Sequence, residues 1–158
     1  MRMCRVMVVA ICALLQLAGV VSAGELAMIV NKDNSVGELS FTDAVKIFKQ
    51  EKQFWENGRR VYLILRESDA DEQQIMLKRI YRMDGETLKR FWIGKLYRGE
   101  IPAFPKVLSS NEAVVRFVSQ AANAIGFVDV GRVDERVKVI RIDGKLPGEL
   151  GYALAGGM

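Results

Sequence analysis

Val61-Tyr62-Leu63-Ile64-Leu65-Arg66-Glu67-Ser68-Asp69-Ala70-Asp71-Glu72 is the stretch that decides the fold. Val61 to Leu65 carries no charge and reads as a buried strand. From Ser68 onward, hydroxyl and acidic residues crowd together, as the positive end of a helix dipole favours. Met76, Leu77, Ile80 and Tyr81 then follow at helical spacing. A buried strand that passes into an amphipathic helix through a polar turn is the repeating unit of α/β proteins.

The same alternation extends in both directions. Upstream, Glu25 to Asn31 is a short apolar run fit for a buried strand, and Lys32 to Glu38 is polar with Gly37, hence a loop. Ser40 is placed to cap a helix, with Asp43 three residues on. Phe41, Ala44, Val45 and Phe48 fall on one face of that helix. Asn57-Gly58 marks a turn. Downstream, Asp84-Gly85 interrupts the pattern. Leu88, Phe91, Trp92 and Leu96 form another helical stripe, with Gly99 positioned as its C-cap. Pro102 and Pro105 bracket an extended segment. Ser109 or Ser110 caps a fourth helix, with Val114, Phe117, Val118 and Ala121 on one face. Ala124 to Val130 and Val137 to Ile142 read as strands, and the glycine-rich tail from Asp143 is expected to be loosely ordered. The order β-α-β-α-α-β-α-β-β predicts an α/β domain: an open, mostly parallel sheet flanked by helices.

At 158 residues, half of them hydrophobic, the chain supports one domain and is not of disordered composition. Residues 1–23 read as a signal peptide. Arg2 and Arg5 precede an uncharged stretch from Val6, and Val21-Ser22-Ala23 presents small residues for cleavage after Ala23. Val20 stands where a lipoprotein would carry its cysteine. The expected product is a periplasmic domain over 24–158 with no membrane span. Cys4 and Cys12 leave with the leader, so no disulfide, thiolate nucleophile or Cys-ligated metal is expected. The sequence has no histidine, which excludes Ser–His and Cys–His nucleophiles and an imidazole base. The net charge of +4 includes Arg2 and Arg5 and falls by two without them, so no nucleic-acid partner is implied. An enzyme is not expected, nor is any cofactor.

Candidate chemistry lies where strands meet helices, since open α/β sheets bind ligands outside the carboxyl ends of their strands. The turns Arg66-Glu67-Ser68-Asp69-Ala70 and Asn31 to Ser40 are the two such places. An arginine beside backbone N–H groups favours an oxyanion, which makes Arg66, Ser68, Asp69, Ala70 and Ser40 the candidate ligand-binding residues. Capping by Ser68 or Asp69, with Arg66 neutralising the acids around it, is the structural alternative. Asp69, Asp71 and Glu72 lack the loop spacing of a calcium site. Lys106 with Ser109 or Ser110 is weak as a Ser–Lys pair, because capping explains both serines. Trp92 falls in a helical stripe and is expected in the core, and Trp55 is expected over the sheet edge.

The series Leu39-Ser40, Ile47-Phe48, Trp55, Gly58, a strand ending at Arg66, Phe91-Trp92, Gly99, Pro102 and Pro105 is similar to the short phosphate ABC-transporter substrate-binding-like proteins. Asn123-Ala124-Ile125-Gly126-Phe127-Val128 resembles that family's Gly-Ala-Ile-Gly-Tyr-Val, and Ile142-Asp143-Gly144, Pro147-Gly148 and Gly151-Tyr152-Ala153-Leu154 resemble its end. The resemblance implies one lobe of the type 2 periplasmic binding protein fold. Its full-length relatives close two lobes on phosphate and pass it to a membrane permease. In those relatives an arginine is followed four residues on by Ser-Gly-Thr. Arg66 matches the arginine, while Ala70, Asp71 and Glu72 stand at the next three positions. Two readings follow. One is a lobe that binds a small, phosphate-like oxyanion or related solute. The other is an interaction module for another envelope protein that keeps the fold without the anion site.

Overall fold

A computed structural model describes residues 24–156; the expected leader and its cleavage site lie outside the described residues. Among the described residues seven strands form, β1 (Leu26–Asn31), β2 (Glu38–Leu39), β3 (Tyr62–Arg66), β4 (Lys106–Leu108), β5 (Ala124–Asp129), β6 (Val137–Val139) and β7 (Arg141–Ile142). Four α-helices accompany them, α1 (Phe41–Phe48), α2 (Asp71–Met76), α3 (Gly85–Tyr97) and α4 (Asn111–Gln120). Five strands make the main sheet in the order β4-β3-β5-β1-β6, and β2 pairs with β7 separately.

The sheet is mixed. Strand β3 runs parallel to both β4 and β5, whereas β1 is antiparallel to β5 and to β6. Four of the five strands therefore share one direction and β1 alone opposes them. Apolar runs show that a strand is buried on both faces, but they carry no sign of direction. The expected single strand over Val137 to Ile142 divides at Ile140: its N–H still bonds Met28 O of β1 at 3.0 Å, whereas Arg141 N turns to Gly37 O at 2.9 Å and β7 pairs with β2.

Alternation along the central strands feeds two cores. Leu26, Met28, Val30, Leu63, Leu65, Ile125 and Phe127 face α1, α2 and α3. Ala27, Ile29, Ile64, Ala124 and Val128 face α4. Side chains two apart share a sheet face, so each strand serves both layers. Gly126 is what lets α4 lie close. A Cβ there would meet Val114 Cγ1 at 2.9 Å and Ile64 Cβ at 3.4 Å. Gly126→Ala is expected to lower unfolding stability by about 1–3 kcal/mol through overpacking, read as a lower denaturant midpoint at constant m-value.

Local signals account for the helix starts. Ser40 Oγ accepts from Asp43 N at 3.0 Å and Ser110 Oγ from Ala113 N at 3.1 Å. Asp84, which the sequence marks only as an interruption, caps α3 by accepting from Thr87 N at 2.7 Å. Gly99 follows the C-cap Arg98 with a left-handed φ of +68°. The helix expected from Ser68 to Tyr81 departs from its sequence reading twice. Its N-cap is Ala70, which has no side-chain oxygen to cap with, so neither Ser68 nor Asp69 is the cap. Its second half, Leu77–Tyr81, winds as a π-helix that ends at left-handed Arg82. That wider turn seats Tyr81 in the core, where its hydroxyl donates to Phe48 O at 3.0 Å.

The glycine-rich tail, expected to be loosely ordered, places Tyr152 and Leu154 in the larger core, and Leu26 N donates to Leu154 O at 3.3 Å. Leu154→Ala is expected to cost about 2 kcal/mol, the low end for a buried leucine because a terminal segment resettles easily. A melting temperature unchanged by that substitution would show that the tail adds nothing to the core.

Candidate functional site

The carboxyl end of β3 opens onto a cleft of about 780 Å³. Leu65, Arg66, Glu67, Ser68 and Asp69 form its floor, α2 contributes Gln73, and α3 contributes Leu88, Lys89, Trp92 and Ile93. Phe104, Pro105 and Val107 close the side beside β4.

Arg66 is the last residue of β3 and is only 8% exposed. Strand alternation would turn it away from Leu63 and Leu65, to the face of Ile64 that packs on α4. Its Nη2 lies 3.4 Å from Glu72 Oε2, while Nε and Nη1 have no hydrogen-bond partner among the described residues. The guanidinium thus has one long contact to an acid and two buried donors left over. A cation taken out of water without full pairing is costly, so this is a stressed arrangement.

Glu72 is held in turn by Asn111, whose Nδ2 donates to Oε1 at 2.5 Å, and Asn111 Oδ1 accepts from Asp129 N at 3.2 Å. Burial alone would raise the Glu72 carboxyl. Hydrogen bonds from Asn111 and the backbone, together with the Arg66 charge, outweigh burial and hold it below the ordinary carboxylate range. The pair therefore stays ionised at neutral pH. A depressed carboxyl contributes stability above its unfolded value, and that stability is lost as pH falls through the folded one. Melting temperature is expected to drop as acid protonates Glu72, with less of a drop in Glu72→Gln.

Of the residues expected to bind ligand, Arg66, Ser68 and Asp69 line this cleft together. Ala70 is the N-cap of α2, and the Ser68 carbonyl accepts from Gln74 Nε2 at 2.5 Å. Ser40 caps α1 and is not among the cleft residues. Trp55 is buried away from the cleft and donates through Nε1 to Asn123 O at 3.0 Å.

Two contributors were not evident as site residues. Trp92 is buried, as its stripe implies, but its Nε1 has no partner and its ring lines the cleft. Gln73 is 3% exposed, with Oε1 also unpartnered. Gln73 sits three and four residues before Met76 and Leu77, so a polar residue on the apolar face of that helix was the available signal. Among the described residues, no group of three or more His, Cys, Asp or Glu side chains is arranged to hold a metal ion. No helix among them is long and apolar enough to cross a membrane.

No protein-family model and no curated protein matches the sequence. Solved structures do match the fold. An ABC-type phosphate transport receptor from Vibrio cholerae superposes with a TM-score of 0.64 at 21% identity, covering 78% of this chain and 48% of the receptor. A substrate-binding protein assigned to phosphate ABC transport from Clostridium perfringens, solved with bound phosphate, gives 0.64 at 17% identity, over 78% of this chain and 46% of that one. PstS from Borrelia burgdorferi gives 0.60 at 16%, over 78% and 49%. The chain spans about half the length of these structures. It carries the α/β fold of one lobe of such binding proteins, as the sequence resemblance implied.

Proposed function

We propose that this chain is a periplasmic solute-binding lobe that holds a small oxyanion, phosphate-like or a related anionic solute, at Arg66. One observation carries the reading: a permanent cation, nine-tenths buried at the carboxyl end of a central strand and among the residues that line an open cleft, keeps two buried donors unpartnered. Ligands of open α/β sheets bind at that end of the strands. An entering anion draws the guanidinium from its 3.4 Å contact with Glu72 and takes up the spare donors. The role is binding rather than catalysis, and the natural receiver of the solute is a membrane permease.

Calorimetry with phosphate, sulfate and simple carboxylates tests this. Heat at millimolar ligand that vanishes in a folded Arg66→Met variant is the expected result; no heat from any anion overturns the reading.

A second reading has its own support. Phe104 and Val107 at the mouth of the cleft are 53% and 52% exposed, and β4 is an edge strand of the main sheet. Exposed apolar groups beside a free strand edge suit a protein partner that supplies the opposite wall. A photo-crosslinker at Val107 that captures one envelope protein, with no anion giving heat, would favour this interaction role.

A further inference from the structure

We propose that the amino ends of β3 and β4 form a docking surface for an anionic phospholipid bilayer, a role that goes beyond the anion site and does not depend on it. Four aromatic side chains are exposed among the described residues, Phe54 at 50%, Tyr62 at 51%, Tyr97 at 87% and Phe104 at 53%. All four belong to this one end of the sheet. Tyr62 opens β3, and Phe54 is bridged to Arg60 just before it. Strand β4 pairs with β3 in parallel, Lys106 opposite Ile64, so the chain at Phe104 runs level with Tyr62, and the two residues flank one shallow hollow. Helix α3 ends at Tyr97. Gln53 Nε2 donates to Glu100 O at 2.8 Å, which ties the segment after that helix to the turn that carries Phe54.

Cations are interleaved with these rings. Arg60 Cζ stands 5.3 Å from the centre of the Phe54 ring, and Lys106 Nζ stands 5.3 Å from that of Phe117, whose ring lies 5.5 Å from Tyr62. Arg59 is exposed next to Arg60. Glu100 is already neutralised by Lys95 at 3.0 Å and by Arg98. Over 53–62 and 100–106, the three cations Arg59, Arg60 and Lys106 therefore face one uncompensated acid, Glu56. Excess positive charge complements an anionic surface. Half-exposed rings beside Lys and Arg are what a membrane interface accepts, since the rings settle at headgroup depth while the cations meet lipid phosphates. The hollow between Tyr62, Phe104 and Lys106 holds about 140 Å³, below the range of ligand pockets, so these groups are offered to a surface rather than to a small molecule.

Vesicle flotation tests this with the protein in the form the producing cell matures it. Vesicles mixing phosphatidylglycerol with phosphatidylcholine should bind it at least about tenfold more tightly than phosphatidylcholine alone, and added salt should weaken that binding. Arg59→Glu with Lys106→Glu should weaken it at least about tenfold, since each cation at an anionic surface contributes about fivefold. Phe54→Ser with Tyr62→Ser should weaken it about tenfold and leave the salt dependence in place. Arg132→Glu, beyond the carboxyl end of β5, changes net charge as much as Lys106→Glu does and should leave binding nearly unchanged. All five positions are exposed, and an unchanged melting temperature shows that each variant is folded. Equal binding to the two vesicle types, or equal losses from Arg132→Glu and Lys106→Glu, overturns the docking surface. No binding to either vesicle overturns it as well, and a crosslinker at Phe104 that then captures an acidic protein assigns this face to a protein partner instead.

Discussion

Glu72→Gln should destabilise the free protein by about 3 kcal/mol while increasing its affinity for anions by about tenfold. The two effects have one origin. Among the described residues Glu72 is the one acid paired with the Arg66 guanidinium, and that guanidinium is mostly buried. Removing one member of a buried pair leaves the other uncompensated, which is worse than never having had the pair. The neutral amide keeps an oxygen for Asn111 but offers Arg66 no charge. An anion entering the cleft no longer competes with Glu72. Saturating anion should therefore recover more melting temperature in the variant than in the wild type, by mass action on the folded state. Equal melting temperatures and equal affinities for the two proteins would mean that Glu72 does not restrain Arg66.

Arg66→Met is expected to reduce anion affinity at least about 100-fold, since charge-assisted hydrogen bonds contribute roughly 1.5–3 kcal/mol each and two spare donors are removed. Methionine follows the arginine stem and fills much of the same space, so the wall of the cleft survives. Glu72 then loses the charge that helps to hold its carboxyl down, while Asn111 still donates to it. Its carboxyl should rise, and the variant should be relatively less stable at neutral pH than in mild acid. Combining Arg66→Met with Glu72→Gln removes both charges. That double variant should regain much of the stability and none of the affinity, the result that separates a binding role from a structural one.

Much of the architecture was legible because it rests on periodicity and capping. The apolar runs at β1, β3 and β5, the stripes of α1, α3 and α4, and the caps Ser40 and Ser110 follow from residue types at fixed spacing. Strand direction was not legible for β1, since a strand buried on both faces looks alike in either orientation. The extended segment between Pro102 and Pro105 was read a few residues early. The strand itself begins at Lys106, after the second proline, where backbone N–H groups are again free to join the ladder. Tyr152 and Leu154 are isolated apolar residues among glycines, and only the packing of the tail beside β1 reveals them as core.

The site was partly legible for a related reason. Arg66 stands out as a charge ending an apolar strand, and its place beside the polar turn is what the sequence showed. The partner chosen among four nearby acids was not readable. Glu72 wins because the first turn of α2 places it alongside Arg66 and because Asn111, from the start of α4, fixes its other oxygen. Trp92 was legible as buried but not as a cleft residue, since the same apolar stripe serves the core and the cavity. The wall from Phe104 to Val107 depends on β4 pairing with β3, a contact between segments about forty residues apart that no local pattern encodes.

The account turns on whether the Arg66 guanidinium meets an anion in solution. The side-chain Nε–Hε resonance of Arg66, assigned by its disappearance in Arg66→Met, reports this directly by NMR during titration with the anion that gives calorimetric heat. A saturable shift of that resonance, reaching its plateau together with the calorimetric isotherm, is the result expected here. A resonance that stays in place while the anion saturates the protein, or while signals elsewhere move, would contradict the assignment of Arg66 as the anion-binding group.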